Sequence, residues 1–362
     1  MSSSKFHSSS PPNSIIDPRN GYCKENGIYY TLNPPLSLPP PSIPLSITSY
    51  ILSLIPSPPP RHSAIIDSFL SLSYSDILSQ VSSLSSALRT HLQISKGDVV
   101  FIFASVSANI PVLYLALLSI GAVVSPSNTI YSKSEIAHQI DLIKPSIIFT
   151  TSSCISDLPT TDLPTFLIDS PLFRSYLRSQ YPPVLLPLVD VNQDDPAAIL
   201  FSSGTTSQTK GTVLTHRNLI ATVSNNSATQ TSLQSLESAN RVTLFANSIF
   251  HIFGISLLLT SLALGKTAVL IEKVDLETIL HAVEIHQVNL LITWPSLLPS
   301  LLESNIISNF DLSSLRIIIY AGASVCREIA ELFAIRFPSF KLFQVRISHS
   351  LQITIVLSSV HL

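Results

Sequence analysis

Residues 96–151 constrain the fold most. "KGDVVFIFA" turns at Gly97 into a continuous apolar run, and "SANIPVLYLALLSIG" is a longer apolar stretch closed by Gly121. "AVVSPS" is short and apolar, "SKSEIAHQIDLIK" has helical spacing, and "SIIFTT" is short and apolar again. Short continuous apolar runs are typical of strands covered on both faces. Alternating with stretches of helix length, they imply parallel sheets joined by right-handed crossovers. Gly121 supplies the left-handed stop that ends a helix. Ser132 stands three residues before Glu135, the spacing of a capping box, and the helix it opens must stop before Pro145.

The alternation extends both ways. "SAIID" (63–67) reads as a strand, and "SYSDILSQVSSLSSALRTHL" as a helix, with Ile77, Val81, Leu84 and Leu88 on one face. "TFLID", "GTVLT", "RVTLFAN", "KTAVLIE", "NLLIT" and "LRIIIYAG" read as strands. "IFGISLLLTSLALG", "DLETILHAVEIHQ", "CREIAELFAIRF" and a segment from about His216 read as helices. Residues 33–60 carry two proline clusters, which keep that chain at the surface, with one short helix between them over Leu45–Leu54. No fixed-period repeat occurs. The fold class is α/β.

Composition narrows the function. Hydrophobic residues make up 46% of the 362 and charged residues 12%, ample material for a core. A net charge of −2 gives no global field for nucleic acid or an anionic membrane. Cys23, Cys154 and Cys326 are scattered and odd in number, which fits reduced thiols rather than a disulfide frame. Residues 1–19 are Ser- and Pro-rich without the apolar core of a secretory signal, and are expected to be a disordered tail. Residues 99–132 and 242–265 contain no Asp, Glu, Lys or Arg. Each divides into a strand-like and a helix-like piece, so no membrane span is expected.

The chemistry centres on residues 201–211, "FSSGTTSQTKG", which follow the apolar "AAIL". Ser202, Ser203, Gly204, Thr205 and Thr206 place small donors where a strand must bend. Their backbone amides can form an anion nest, and Lys210 can reach an outer phosphate. The Walker pattern is excluded, because Thr209 stands where it requires glycine. Composition alone fits a polar surface turn equally well. The other histidines give no metal site: His281 and His286 are five apart and lack a cysteine partner. No nucleophile elbow of the Gly-x-Ser-x-Gly type is present.

The full string "FSSGTTSQTKGTVLTHRNL" resembles the phosphate-binding signature of the adenylate-forming superfamily, the AMP-forming acyl-CoA synthetases. Ser207 stands where the family usually has glycine. "GYCKENGIYYTLNPPLSLP" and "KGDVVFIFASVSANIPVLYLALLSIGAVVSPSN" resemble plant 4-coumarate:CoA ligase-like enzymes, as do "FHIFGI" (250–255) and "SSLRIIIYAGASVCREIAELF". In the last of these the family's proline after the small residues is missing.

The resemblance implies the large N-terminal domain of the adenylate-forming fold: stacked parallel sheets with flanking helices, incomplete, and with the C-terminal domain absent. It implies a tail at 1–19, a partial N-terminal AMP-binding domain at 20–344 and a tail unlike the family at 345–362. It implies that Ser202, Ser203, Gly204, Thr205, Thr206 and Lys210 hold the β- and γ-phosphates of ATP. His251 would stand beside the carboxylate and adenylate, as catalytic and substrate-binding residue, although a lone histidine between Phe250 and Phe253 is by default a core histidine bonded to backbone. Phe253 would line the acyl pocket, and Gly322 and Ala323 would lie under adenine or acyl group; packing is the competing reading for all three. ATP, Mg²⁺ and coenzyme A are the implied cofactors, a small carboxylic acid is the substrate, no residue is assigned to a metal, and the chain is expected to be a monomer. Relatives place the setting in cytoplasm or peroxisome, and no targeting signal stands on this chain.

After "FPSFKLFQ" the resemblance stops at Val345, and "VRISHSLQITIVLSSVHL" has no family counterpart. Valine codons begin with GT, as intron donors do, so a retained intron or mis-called gene model is the reading. Sequencing transcripts across the Gln344 codon tests it. A chain lacking the later segments is expected to be impaired in catalysis, with open strand edges and, in "QITIVL" (352–357), an aggregation-prone window.

Overall fold

The structure is a computed structural model. It describes residues 16–17, 21–25, 27–30, 36–178, 188–203, 209–232, 242–246, 249–346 and 356–359. The expected tail at 1–19 therefore lies almost wholly outside the described residues. The chain divides into two compact units, Met1–Ser37 and Leu38–Leu362. In the first, β1 (Tyr22–Cys23) pairs antiparallel with β2 (Ile28–Tyr29).

The second unit holds two sheets. Its strands begin with β3 (Ser63–Ile66), β4 (Ser71–Ser73), β5 (Val99–Phe103), β6 (Val123–Pro126), β7 (Ile147–Thr150) and β8 (Thr165–Leu167). They continue with β9 (Pro196–Ser203), β10 (Thr209–Thr215), β11 (Val242–Phe245), β12 (Thr267–Leu270), β13 (Leu290–Thr293), β14 (Ile317–Ala321), β15 (Lys341–Arg346) and β16 (Val356–Ser359). One sheet has the order β10-β9-β6-β5-β7-β8, and the other β16-β15-β14-β13-β11-β12-β3-β4. The helices are α1 (Ile47–Leu54), α2 (Tyr74–Thr90), α3 (Asn109–Ser119), α4 (Lys133–Ile143), α5 (Pro171–Leu177) and α6 (His216–Ser232), then α7 (Ile252–Ala263), α8 (Leu276–His286), α9 (Leu297–Glu303) and α10 (Arg327–Arg336).

Side-chain alternation along the strands builds the layers. Val100 and Ile102 of β5 join the main core, while Phe101 and Phe103 face a second cluster with Ile136 of α4. In β14, Ile317 and Ile319 join the main core, while Ile318 and Tyr320 pack in a third cluster with Leu280 of α8 and Phe333 of α10. Helices α1, α2, α3, α6 and α7 contribute to the main core and so form the layer between the sheets. All twelve residues of α7 are buried, and α3 is buried from Ile110 to Ser119. A helix apolar all round must be enclosed. That accounts for the two charge-free spans, and no helix among the described residues is long and apolar enough to cross a membrane.

Local signals behave as their chemistry requires. Ser132 and Glu135 form the reciprocal capping box of α4, and the bonds from Ser132 hold the Glu135 carboxyl below its ordinary range. Gly121 ends α3 at φ +76, and a Cβ there would stand 2.9 Å from Lys96 Cγ.

The sheets are mixed rather than wholly parallel. β3–β4, β9–β10 and β15–β16 are antiparallel. A hairpin needs only a few linking residues, whereas a parallel partner needs a crossover. Between β3 and β4, Asp67 Oδ1 accepts the N–H groups of Phe69 and Leu70 at 2.8 and 2.6 Å and folds the turn. β15 runs across the expected 344/345 boundary, and its edge, expected to be open, is paired by β16.

Candidate functional site

Strands β6, β9, β11 and β13 all deliver their carboxyl-terminal ends to one place. Ligands of open α/β sheets bind in the crevice at such ends. A cavity of about 210 Å³ lies there, lined by Pro126, Ser127, Asn128 and Tyr131 after β6, Phe201 near the end of β9, Phe250 and His251 after β11, and Trp294 after β13. Ser127 is buried and donates to Gln139 Oε1 at 2.6 Å, which fixes the β6 end against α4.

His251 is the N-cap of α7, with φ −103 and ψ 150. Its Nδ1 accepts the Phe253 N–H at 3.3 Å, so the neutral ring carries its proton on Nε2. The backbone bond of the default reading is thus present, yet the ring is half-buried and lines the cavity. The Trp294 ring meets it edge-on, with centroids 6.0 Å apart at 71°. Phe253 does not line this cavity. It is buried and tilts against Trp294 at 6.3 Å, holding that indole from behind.

Gly322 follows β14 at φ +104, and a Cβ built on it would stand 3.1 Å from Trp294 Cε3 and Cζ3. Glycine is needed here both for the backbone conformation and for the indole lying against it. Ala323 is exposed and does not line the cavity. Sequence reasoning missed Trp294. Its signal was available, as the one tryptophan of the chain placed directly after an apolar strand and before Pro295.

Lys210 of β10 is exposed and stands in register with Ser202 of β9, as Thr209 does with Ser203. The backbones of Ser202 and Ser203 are described, while Gly204, Thr205 and Thr206 lie outside the described residues. Phe201, immediately before Ser202, shares a cavity with His251. The structure thus brings the base of the Ser/Thr/Gly loop and the histidine to one concavity, and leaves Ala323 outside it. Among the described residues no group of three His, Cys, Asp or Glu side chains is placed to hold a metal ion.

His216 opens α6 but is not part of the cavity. It is fully buried, its Nδ1 accepts the Ile47 N–H at 3.1 Å, and burial pushes its pKa down to about 4. Its backbone N–H donates to the Asp195 carbonyl at 3.1 Å, and the Asp195 carboxylate pairs with Lys96 at 2.7 Å.

With this geometry in place, comparison with known proteins is decisive. Residues 56–346 match the family described as AMP-binding enzyme. The chain belongs to the AMP-binding enzyme family. Among its relatives, 4-coumarate–CoA ligase-like 9 of Arabidopsis thaliana is 40% identical over 345 residues, covering 91% of this chain and 61% of that protein. 4-Coumarate–CoA ligase-like 5 of Oryza sativa subsp. japonica is 36% identical, covering 91% and 62%. Peroxisomal OPC-8:0-CoA ligase 1 of Arabidopsis thaliana is 30% identical, covering 91% and 61%. The chain therefore spans about three fifths of the length of these AMP-binding relatives. Among solved structures, VinN superposes with a TM-score of 0.75 at 18% identity, covering 88% of this chain and 77% of that one. The N-terminal domain of FACL13 from Mycobacterium tuberculosis gives 0.72 at 19%, covering 84% and 76%. These two likenesses establish the fold: the two mixed sheets are those of the adenylate-forming N-terminal domain.

Proposed function

We propose that this chain carries the nucleotide and acid site of an ATP-dependent, AMP-forming carboxylate–CoA ligase. The observation that carries the reading is the shared cavity of Phe201, at the base of the Ser/Thr/Gly loop, and His251. The acid's carboxylate oxygen attacks the α-phosphate of ATP, pyrophosphate leaves, and an acyl-adenylate remains. The thiolate of coenzyme A then attacks the acyl carbon and AMP leaves. Two anions must meet in the first step, so donors and cations have to neutralise the developing phosphate charge.

In this reading the backbone and hydroxyls of 202–206 cradle the β- and γ-phosphates, with Lys210 as the cation beside them. His251, with its proton on Nε2, donates toward the carboxylate or the adenylate oxygen. Gly322 keeps the floor thin under Trp294. The described residues offer no cluster of His, Cys, Asp or Glu for a metal; Mg²⁺ arriving with ATP would take its ligands largely from phosphate and water.

The aromatic walls, Tyr131, Phe201, Phe250 and Trp294, suit an aryl or long apolar acid. The names of the relatives point to hydroxycinnamates or a fatty-acid-like substrate, and the peroxisomal relative makes that organelle a candidate setting. A second reading rests on size. The 210 Å³ cavity is below the range of about 300–1,000 Å³ usual for small-molecule sites, and the chain spans three fifths of its relatives. On its own it is therefore expected to act as a non-catalytic adenylation fragment that binds nucleotide weakly.

ATP-dependent pyrophosphate release with 4-coumarate and a series of fatty acids separates the two readings. In a version extended to the length of the relatives, His251→Ala should lower the rate about 10²–10³-fold if the ring stabilises the transition state. An unchanged rate removes His251 from the site. Rapid thioester formation by the 362 residues alone refutes the fragment reading.

A further inference from the structure

A second cavity, of about 500 Å³, shares no lining residue with the first. It opens at the other end of the same crevice, where β5, β7 and β8 of one sheet and β3 and β12 of the other end. Its floor is apolar, with Leu72, Val106, Ile168, Leu177 and Leu270. Its volume lies within the usual range for a small-molecule site, about 300–1,000 Å³.

Two guanidinium groups stand at its rim. Arg174 and Arg178 are one turn apart at the end of α5, whose Phe173 and Leu177 are buried and fix the rotation of the helix. Both arginines are exposed, and neither guanidinium has a hydrogen bond or ion pair among the described residues. Two of the three acids in the lining are otherwise engaged. Asp67 accepts the N–H groups of Phe69 and Leu70 on Oδ1 and of Ala108 on Oδ2, and both oxygens of Asp169 lie 3.0–3.2 Å from the Ser152 N–H. Glu272 is exposed at the rim.

We propose that this cavity is a second ligand site for an amphiphilic carboxylate. The apolar tail lies on Leu72, Val106 and Leu270, and the carboxylate meets Arg174 and Arg178. A monoanion suits the rim better than a phosphate dianion, because Glu272, Asp67 and Asp169 repel the second charge. Nothing in the acid-activating reading requires this site, and either can fail without the other.

Equilibrium dialysis of the purified chain with decanoate and decanol tests it. The expected result is a saturable decanoate component that His251→Ala leaves unchanged and that weakens at least tenfold in the Arg174→Ala/Arg178→Ala double variant. Both arginines are exposed, so the variant should keep its fold, which circular dichroism checks. Decanol should bind at least tenfold more weakly than decanoate. Absence of saturable binding, indifference to the arginines, equal binding of decanol, or loss of the component in His251→Ala overturns the proposal.

Discussion

At the scale of single residues, His216 shows how burial sets a pH response. In the unfolded chain its imidazole takes a proton near pH 6.5, and in the folded chain only near pH 4. Between those values the unfolded state binds more protons. Stability is therefore fully present above about pH 6.5 and is lost as the pH falls, about 3 kcal/mol in all by pH 4. Urea unfolding at stepped pH should show that slope, and His216→Asn should lack its share of it. An identical slope in the variant would assign the effect to carboxylates instead. Gly322 makes a different demand. Gly322→Ala puts a Cβ against the Trp294 ring and strains the backbone, for about 1–3 kcal/mol, and should shift the emission of that single tryptophan. An unshifted spectrum would mean that the indole does not rest on this glycine. His251 was legible because neighbours on both sides match a family pattern. Trp294 was missed although its place as the one tryptophan before Pro295 was a signal, because an isolated aromatic after a strand also fits a core position.

At the scale of elements, periodicity and caps carried far. The Ser132–Glu135 box, the Gly121 stop and the uncharged segments 109–119 and 252–263 were readable, because each satisfies local chemistry whatever the rest of the chain does. The hairpins were not. Strand direction depends on which edge is free, and no residue of β10 or β4 records that. The short α5, opened by Ser170 and Pro171, was missed because it has too few residues to display a period. Burial sharpens a prediction. Leu258 in the middle of α7 is fully enclosed, so Leu258→Ala should cost about 2–5 kcal/mol in urea unfolding. Leu332 of α10 is 56% exposed, and the same change there should stay within about 0.5 kcal/mol. Similar costs at both sites would contradict the middle position of α7.

At the scale of the whole molecule, the question is how the sheets end. β16 is the terminal strand of the eight-stranded sheet, so its outer row of backbone groups is a template for another chain. Light scattering on the purified chain should therefore show association that Val356→Lys/Leu357→Lys reduces several-fold. Equal scattering from both proteins would move the cause elsewhere. The α/β class and the family were legible from the order of segments. The sharing of one cavity by Phe201 and His251 was not, because some fifty residues separate them and only the meeting of two sheets brings them together.

The central helices have a consequence for how this molecule can be divided. α3 and α7 have no side that water could wet, since one wall of their chamber is the first sheet and the other wall the second. Neither wall is serviceable by itself: a gene split between residues 203 and 242 would give two greasy halves rather than two working modules. Evolution can therefore lengthen this protein at its margins far more readily than it can part it down the middle.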